Sequence, residues 1–273
     1  MGPELSLLRR FVVDFMNRGD ALICAQIMSP DYELMIGRQR ICGRDDNYLP
    51  AVESQFDQFP GMVFTVHQVA ASHGRAAISF TEHGASGGPG GPVASWSGIA
   101  LFEVVGGVLT RCRAQEDYLA RRRQLKSGVA DPVAPPAAAP WDTVLSTNNP
   151  EAEAVVREWL VGPSAASDPL INYDDEAVSG LQRLHLEVLT TDVLDLFSAA
   201  SEVAYSAVHS LKYHGGPDGP KPADMVIECA SAGIVTVKDG QVVSGRVIRE
   251  RQGLLRSVNF AQDRVHSAAS VEW

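Results

Sequence analysis

The run SGVADPVAPPAAAPWDTVLSTNNP, from Ser127 to Pro150, constrains this chain more than any other feature. Proline halts helices, and no helical or strand period runs through the segment, so it reads as an interdomain linker. Split there, the 273 residues give two stretches, 1–126 and 151–273, each of ordinary domain size. A second breaker-rich stretch, HGGPDGPKP from His214 to Pro222, lies between strand-like runs and reads as a long hairpin loop.

In the first stretch Leu5, Leu8, Val12 and Phe15 recur at helical spacing, and Gly19 ends that helix. Asp20 is placed to cap a short second helix reaching Met28. Asp45 is placed to cap a third, with Leu49, Val52, Phe56 and Phe59 as its apolar stripe. SPDYELMIG, between them, is a turn followed by an extended piece. Beyond Pro60 the period changes: MVFTVHQVA, RAAISFTEHG, SWSGIALFEVV and GVLTRCRAQED are short, β-rich and divided by glycine turns. Helices followed by antiparallel strands predict an α+β fold, a curved sheet wrapped on helices to make a cone with room for a small ligand.

The order recurs after the linker. EAEAVVREWL is helical and SGLQRLHLEV is a helix candidate; DVLDLFSA, EVAYSAVHSLKYHGG, ADMVIECASAGIVTV and QVVSGRVIRE are strand-like. Gly107 to Asp117 and Gly240 to Glu250 span the same number of positions, each through an arginine (Arg113 or Arg246) to a carboxylate. Two tandem cones, the second a divergent copy with a reduced helical part, are the expectation.

Composition narrows the functions. Formal net charge is −10, which lacks the basic excess of a nucleic-acid or anionic-membrane binder. No apolar run is long enough to span a bilayer, and the start reads as an amphipathic helix rather than a secretory signal. Cys24, Cys42, Cys112 and Cys229 show no metal-type spacing, and His209 and His214, five apart on one strand, point to opposite faces. GASGGPGG lacks a following Lys-Ser/Thr and opens no helix, so it is a poor phosphate loop. The expectations are a cytoplasmic protein with no metal and no cofactor, binding neither nucleic acid nor membrane.

PDYELMIG, then GRDDNYLPAVESQFDQFPGMVFTVHQV, FTEHGASGG and GGVLTRCRAQEDYLARRRQL together resemble the SnoaL-like polyketide cyclases of the nuclear transport factor 2-like superfamily. The resemblance covers most of Leu5 to Leu125; the second half is similar only in its strands. It implies that Asp117, at the end of the closing strand, is the general acid/base. Two departures stand out. Glu33, Leu34 and Met35 stand where the family often has a histidine, and Arg113 stands where an aromatic residue is usual.

On the last strand Leu109, Arg111, Arg113, Gln115 and Asp117 share one face by alternation. A carboxyl in an apolar cone would titrate near neutrality, and Arg113 could clamp an anionic oxygen. The competing reading is a solvated face with Arg–Asp ion pairs. His67, alternating with Val63, Thr65 and Val69, is expected to point inward, and His83 ends a strand; each is a candidate acid/base partner of Asp117 or a hydrogen-bonded structural residue. Glu82, opposite in face to His83, is a further pocket carboxylate, while Tyr32 and Trp96 line the cavity or belong to the core. In the second half Glu250, Arg246, His209, Tyr205 and His214 occupy comparable places. The function expected is a cofactor-independent acid/base enzyme acting on a hydrophobic small molecule: polyketide-type cyclisation, isomerisation, dehydration or, given a pair of pocket carboxylates, epoxide opening. The alternative is a non-catalytic small-molecule-binding or dimerisation module, the second cone covering the first as in an intramolecular pseudo-dimer, with a homodimer also open.

Overall fold

Pro3 in the first turn and the stripe Leu5, Leu8, Val12 and Phe15 start helix α1 (Pro3–Arg9), which widens into an i→i+5 wound stretch over Arg10–Met16. The computed structural model describes residues 2–175, 184–215 and 225–257. Gly19 turns the chain with φ +67°, and the Asp20 carboxylate accepts from Leu22 N–H (3.1 Å) to open a tight turn leading into α2 (Cys24–Ile27). Asp45 does not cap α3 (Leu49–Gln58). Its carboxylate is held by the Arg44 guanidinium, and the chain enters α3 through a wide turn over Arg44–Tyr48.

Six strands accompany these helices, two before α3 and four after it: β1 (Met28–Ile36), β2 (Gln39–Cys42), β3 (Val63–Ser72), β4 (Arg75–Ala85), β5 (Val93–Val105) and β6 (Val108–Glu116). They form one sheet in the order β2-β1-β6-β5-β4-β3. The sheet is mixed rather than wholly antiparallel, because β1 pairs parallel to β6 while the other pairs are antiparallel. One face packs on the helices: Phe64, Phe80, Trp96, Phe102, Cys112 and Ala114 join Leu5, Leu8, Phe11 and Phe15 in a buried core. Helix α4 (Tyr118–Ser127) then closes the unit, ended by Gly128 at φ +72°.

The proline-rich segment is not free of the first unit. Ala137 N–H donates to Val66 C=O and Ser146 N–H to Ala71 C=O, both at 2.9 Å, while Trp141 and Leu145 pack on the first core. The segment thus runs along edge strand β3 and supplies partners to its backbone.

The second unit begins with α5 (Pro150–Val161), capped by Asn149. Its sheet runs β7 (Ile171–Tyr173), β11 (Gln241–Arg249), β10 (Met225–Lys238), β9 (Glu202–Gly215), β8 (His185–Ala199), again with one parallel pair, β7 with β11. A last helix, α6, covers residues 251–257. The helix candidate SGLQRLHLEV is corrected where it is described: His185–Val188 begin β8, with Leu186 and Val188 buried and His185 and Glu187 exposed, a period of two. Residues 179–183 of that candidate, and 216–222 of the expected hairpin loop, lie outside the described residues.

The sheets' faces away from their own helices pack on each other. Ala77, Ile99 and Leu101 of the first meet Phe197, Ala204, Ala232, Ile234 and Ile248 of the second in one buried cluster, flanked by an ion pair from Arg75 to Asp195 (2.6 Å). Each sheet therefore has a helix side and a partner side, and this sorts every candidate residue.

Candidate functional site

Sheet and helices of the first unit line most of a partly open cavity of about 540 Å³, whose rim is completed by residues of the second unit. Aromatic and aliphatic side chains dominate its wall, among them Phe11, Phe64, Phe80 and Phe102, and alternate positions of β6 (Cys112, Ala114, Glu116) face it. Two carboxylates stand on this wall. Glu82, on β4, is fully buried; Glu116, at the end of β6, is half-buried. Glu82 pairs with Trp96 across β4–β5, and Glu116 with Gly98 across β5–β6, which sets the two carboxylates diagonally within hydrogen-bond reach of each other.

Gly98 belongs to this arrangement because a Cβ there would lie 2.2 Å from the Phe80 ring, which folds over it and stacks on Phe64 at 4.1 Å. The partners of the two carboxylates differ. Glu82 Oε2 accepts from Gln55 Nε2 (2.7 Å). Glu116 Oε2 accepts from Trp96 Nε1 (2.9 Å), and the Tyr118 hydroxyl also reaches Glu116. Arg121 lies over the rings of Tyr118, Trp96 and Phe59 at 4.5, 5.0 and 5.7 Å and adds its positive charge to both. Burial pushes Glu82 well above the ordinary carboxylate range, and the neighbouring Glu116 raises it further. Burial also raises Glu116, but the bonds from Trp96 and Tyr118, the Arg121 charge and the bond with Glu82 oppose it. Both carboxyls are thus raised, Glu82 the more strongly, and the hydrogen bond between them favours the proton on Glu82 with Glu116 as its acceptor.

The other sequence candidates sort by face. Asp117 is buried on the partner side, away from the cavity. It caps α4 through Ala120 N–H (3.1 Å), accepts from Asp175 N–H (2.9 Å) and pairs with Arg251 of the second unit. Burial outweighs Arg251, and Asp174 and Asp175 add to it, so Asp117 is pushed up to about 6. Arg113 shares that face, 4.0 Å from Asp195. His67 also points outward. It sits at a bulge between the pairs Val66–Phe80 and Gln68–Ser79, which breaks its expected alternation with Val69; its nitrogens lie 2.8 Å from Thr81 Oγ1 and 2.9 Å from Pro135 C=O. His83 is on the same side, 3.3 Å from Thr65 Oγ1, and burial lowers its pKa. Tyr32 lines the cavity, edge-on to Tyr48 at 4.8 Å, while Trp96 is fully buried and orients Glu116. The structure thus brings Glu82, Tyr32 and Trp96 to the helix side, and places Asp117, Arg113, His67 and His83 on the other. Glu116 was not among the sequence candidates, although its alternation with buried Cys112 and Ala114 marks it.

Residues 8–112 match the SnoaL-like domain family. The first unit is a SnoaL-like domain. That match ends at residue 112 and leaves the second unit unassigned. No curated protein matches this sequence. Solved structures similar to the chain include a candidate SnoaL-like polyketide cyclase from Jannaschia sp. CCS1, at 17% identity over 46% of this chain and 92% of that one, with TM-score 0.40. IdmH, a candidate polyketide cyclase from Streptomyces antibioticus, is similar at 16% identity over 46% and 99%, with TM-score 0.41. An LEH-like epoxide hydrolase from M. tuberculosis is similar at 16% over 46% and 91%, with TM-score 0.39.

The unit beside the SnoaL-like domain repeats its packing device with a different filling. Gly233 pairs with Tyr205 as Gly98 does with Phe80, and a Cβ at 233 would lie 2.3 Å from the Tyr205 ring. Stepping two residues along each strand, Ala207 stands where Glu82 would be and Ser231 where Trp96 would be. The helix side of this sheet is packed with Tyr205, Tyr173, Val156 and Leu160. His209 is held between Thr191 Oγ1 (3.0 Å) and Ser231 Oγ (2.7 Å), and burial, with Arg249, pushes it down to about 4. Asp174, at φ +50°, takes Arg249 N–H (2.7 Å) and Nε (2.8 Å); burial pushes its carboxyl up, but Arg249 and Arg251 outweigh that and hold it below the ordinary range. Among the described residues no group of histidine, cysteine and carboxylate side chains is placed to hold a metal.

Proposed function

We propose that the SnoaL-like unit is an acid/base enzyme for a hydrophobic small molecule, with Glu116 as base and Glu82 as proton donor. One observation carries the reading: two adjacent carboxylates, each held by a neutral donor, on the wall of a largely apolar cavity of about 540 Å³. Structural ion pairs do not have this form, since two like groups gain nothing from burial together unless they share a proton. The chemistry needs only these two groups.

Opening of an epoxide by water uses the pair most fully. Glu116 takes a proton from water as the water oxygen bonds to an epoxide carbon. The carbon–oxygen bond of the ring breaks, and Glu82 protonates the oxygen that leaves. Glu116 then carries a proton and Glu82 a charge, and transfer along the hydrogen bond between them restores the starting state. A substrate with an acidic C–H would instead give up that proton to Glu116 and receive one from Glu82 on its carbonyl oxygen, which makes the enol. Return of the proton from Glu116 to a different carbon, as the enol O–H goes back to Glu82, completes an isomerisation. In aldol-type closure the deprotonated carbon bonds to a second carbonyl carbon, and Glu82 protonates the oxygen released from that double bond.

Labelling separates these. Turnover of a panel of apolar epoxides in ¹⁸O-water places the label in a diol if water is added. Isomerisation or closure leaves the product free of ¹⁸O and, run in deuterium oxide, exchanges a carbon-bound hydrogen. If neither epoxides nor enolisable ketones and esters turn over while apolar ligands still bind the cavity, the protein is a binding module and the catalytic reading falls.

A further inference from the structure

The cavity is not closed by the SnoaL-like unit alone. Its rim joins the β1–β2 turn, with Gly37 and Arg38, to Glu250, Gln252, Gly253 and Arg256 of the second unit. The two sides are in contact: a Cβ on Gly37 would lie 3.0 Å from Glu250 Cγ, and Arg38 pairs with Glu228 at 2.8 Å. Gln252 and Arg256 also line an open groove between α4 and α6, whose other walls include Leu119, Arg122, Arg123, Lys126 and Leu255. The apolar cavity and a surface groove with four cations therefore meet at a shared wall, Gln252 and Arg256, on a chain whose formal net charge is −10. Arg123 is paired with Asp131, but its buried Nε has no partner. Arg122 and Lys126 lie in no salt bridge among the described residues, and Arg256 donates to Gln252 C=O (3.3 Å) and acts on the Glu250 carboxylate only through its charge, without a direct salt bridge. Like charges gathered from two helices repel one another, and a multivalent anion lying between them removes that repulsion; guanidinium groups also match phosphate oxygens in geometry.

We propose that the substrate of this cavity carries a phosphate-type anion on the end of its apolar part, and that the groove of Arg122, Lys126 and Arg256 holds that anion while the apolar part lies against the carboxylate pair. The proposal rests on reading the cavity as the substrate site. It gives the second unit a share in substrate selection, since α6 supplies one wall of the groove.

Displacement of a fluorescent apolar probe tests it. N-Phenyl-1-naphthylamine reports occupancy of the cavity, and Ala51→Trp, at an exposed position of α3 that lines the cavity, is expected to suppress its signal. Decyl phosphate and decanol then compete for the wild-type protein. At low salt decyl phosphate is expected to displace the probe at about tenfold lower concentration than decanol, as two or three exposed charge contacts would give. In the triple variant Arg122→Gln, Lys126→Gln, Arg256→Gln, whose positions are on the surface, the advantage falls to within about twofold, and about 0.5 M sodium chloride does the same to the wild type. Decanol displaces equally in every case. Inorganic phosphate raises the midpoint for decyl phosphate and leaves that for decanol alone.

Equal displacement by both ligands in the wild type would overturn the proposal, as would an advantage that survives in the triple variant, or probe binding untouched by Ala51→Trp. Phosphatidylglycerol vesicles are expected to leave the protein in the supernatant on sedimentation; retention lost in the triple variant would assign the groove to a membrane surface instead and also overturn it. Glu116→Gln keeps the ratio between the two ligands even where it abolishes turnover, so failure of the catalytic reading and failure of this one are separable.

Discussion

Replacing each member of the carboxylate pair by glutamine should lower activity and raise stability together. The two effects have one cause. Glu82 and Glu116 both have folded-state pKa values above their ordinary values, chiefly through burial. A carboxyl raised in this way contributes stability that is fully present below its unfolded value and is lost as pH rises through its folded value. As pH rises the fold therefore carries the cost of one buried anion once Glu116 ionises, and of two once Glu82 ionises as well. Glutamine is near-isosteric with the protonated acid, keeps an oxygen for the Gln55 or Trp96 bond and carries no charge.

Glu82→Gln and Glu116→Gln should consequently melt higher than the wild type at pH 8, with the difference shrinking toward pH 4, where the native carboxyls are protonated too. For catalysis the loss is that of general acid or general base action, about 10²–10⁴-fold in the chemical step for each variant. The wild-type profile of kcat/KM against pH should rise as Glu116 ionises, above the usual range for a glutamate, and fall when Glu82 loses its proton. The rising limb should vanish in Glu116→Gln and the falling limb in Glu82→Gln. The assay is kcat/KM from pH 4 to 10 on whichever epoxide or enolisable substrate the labelling screen supplies, beside thermal melting at the same pH values. Full activity in either folded variant would refute the reasoning. So would a lower melting temperature at pH 8, which would mean that the pair holds the fold through its charge.

Asp117→Asn should leave kcat/KM within a few-fold of wild type, because Asp117 lies outside the cavity. Melting curves should show that the wild type loses stability as pH rises through about 6, where this raised carboxyl ionises, and that the Asn variant lacks this component. Arg249→Met leaves Asp174 buried without its main partner and should cost about 3–5 kcal/mol in denaturant unfolding, with cavity binding of an apolar probe retained in the folded fraction. Gly98→Ala should cost about 1–3 kcal/mol, since Phe80 must leave its place over the strand, and should weaken probe binding because Phe80 lines the cavity; unchanged melting would show that the ring has somewhere else to go.

The fold was legible where one period governed a whole element. The stripe from Leu5 to Phe15 and the strands after Pro60 belong to this class. What the sequence concealed was phase. Alternation correctly put Arg111, Arg113, Gln115 and Asp117 on one face of β6, but not which face looks into the cone, and it wrongly added Leu109, which lies across a bulge in the β5–β6 pairing and joins the helix-side core. The face turned out to be decided by a partner sheet, whose Asp195 and Arg251 receive those charges. A local signal existed: Cys112 and Ala114 are small and apolar, and a side chain in step with them shares their surroundings, which selects Glu116. On β3 the bulge at His67 shifts the phase, so Val63 and Thr65 predict the wrong company for Val69. Short β7 was unreadable for another reason: three residues, Ile171–Tyr173, are too few to show a period.

The two units show how one scaffold separates a site from a support. Each has a glycine, on β5 or on β10, that admits an aromatic ring from the strand beside it: Phe80 over Gly98, Tyr205 over Gly233. In the SnoaL-like unit the next position along is Glu82, and the space beyond stays open because small residues, Ala100 and Ala114, line it. In the second unit that position is Ala207, and Tyr205 and Tyr173, with α5, occupy the same side of the sheet. Charge there has moved to the ends of the strands, where Asp174 and Arg249 neutralise each other and Arg251 reaches across to Asp117. An open cavity with two raised carboxylates weakens the unit that holds it, because its walls lose packing contacts and its anions lose water. A filled neighbour packed on the partner side of the same sheet offsets that loss without touching the cavity, except at the rim, where Glu250 and Arg256 extend to the opening. On this argument, changes to the interior of the second unit should alter the stability of both sheets, while changes to its residues 250–256 should alter which ligands the first unit accepts.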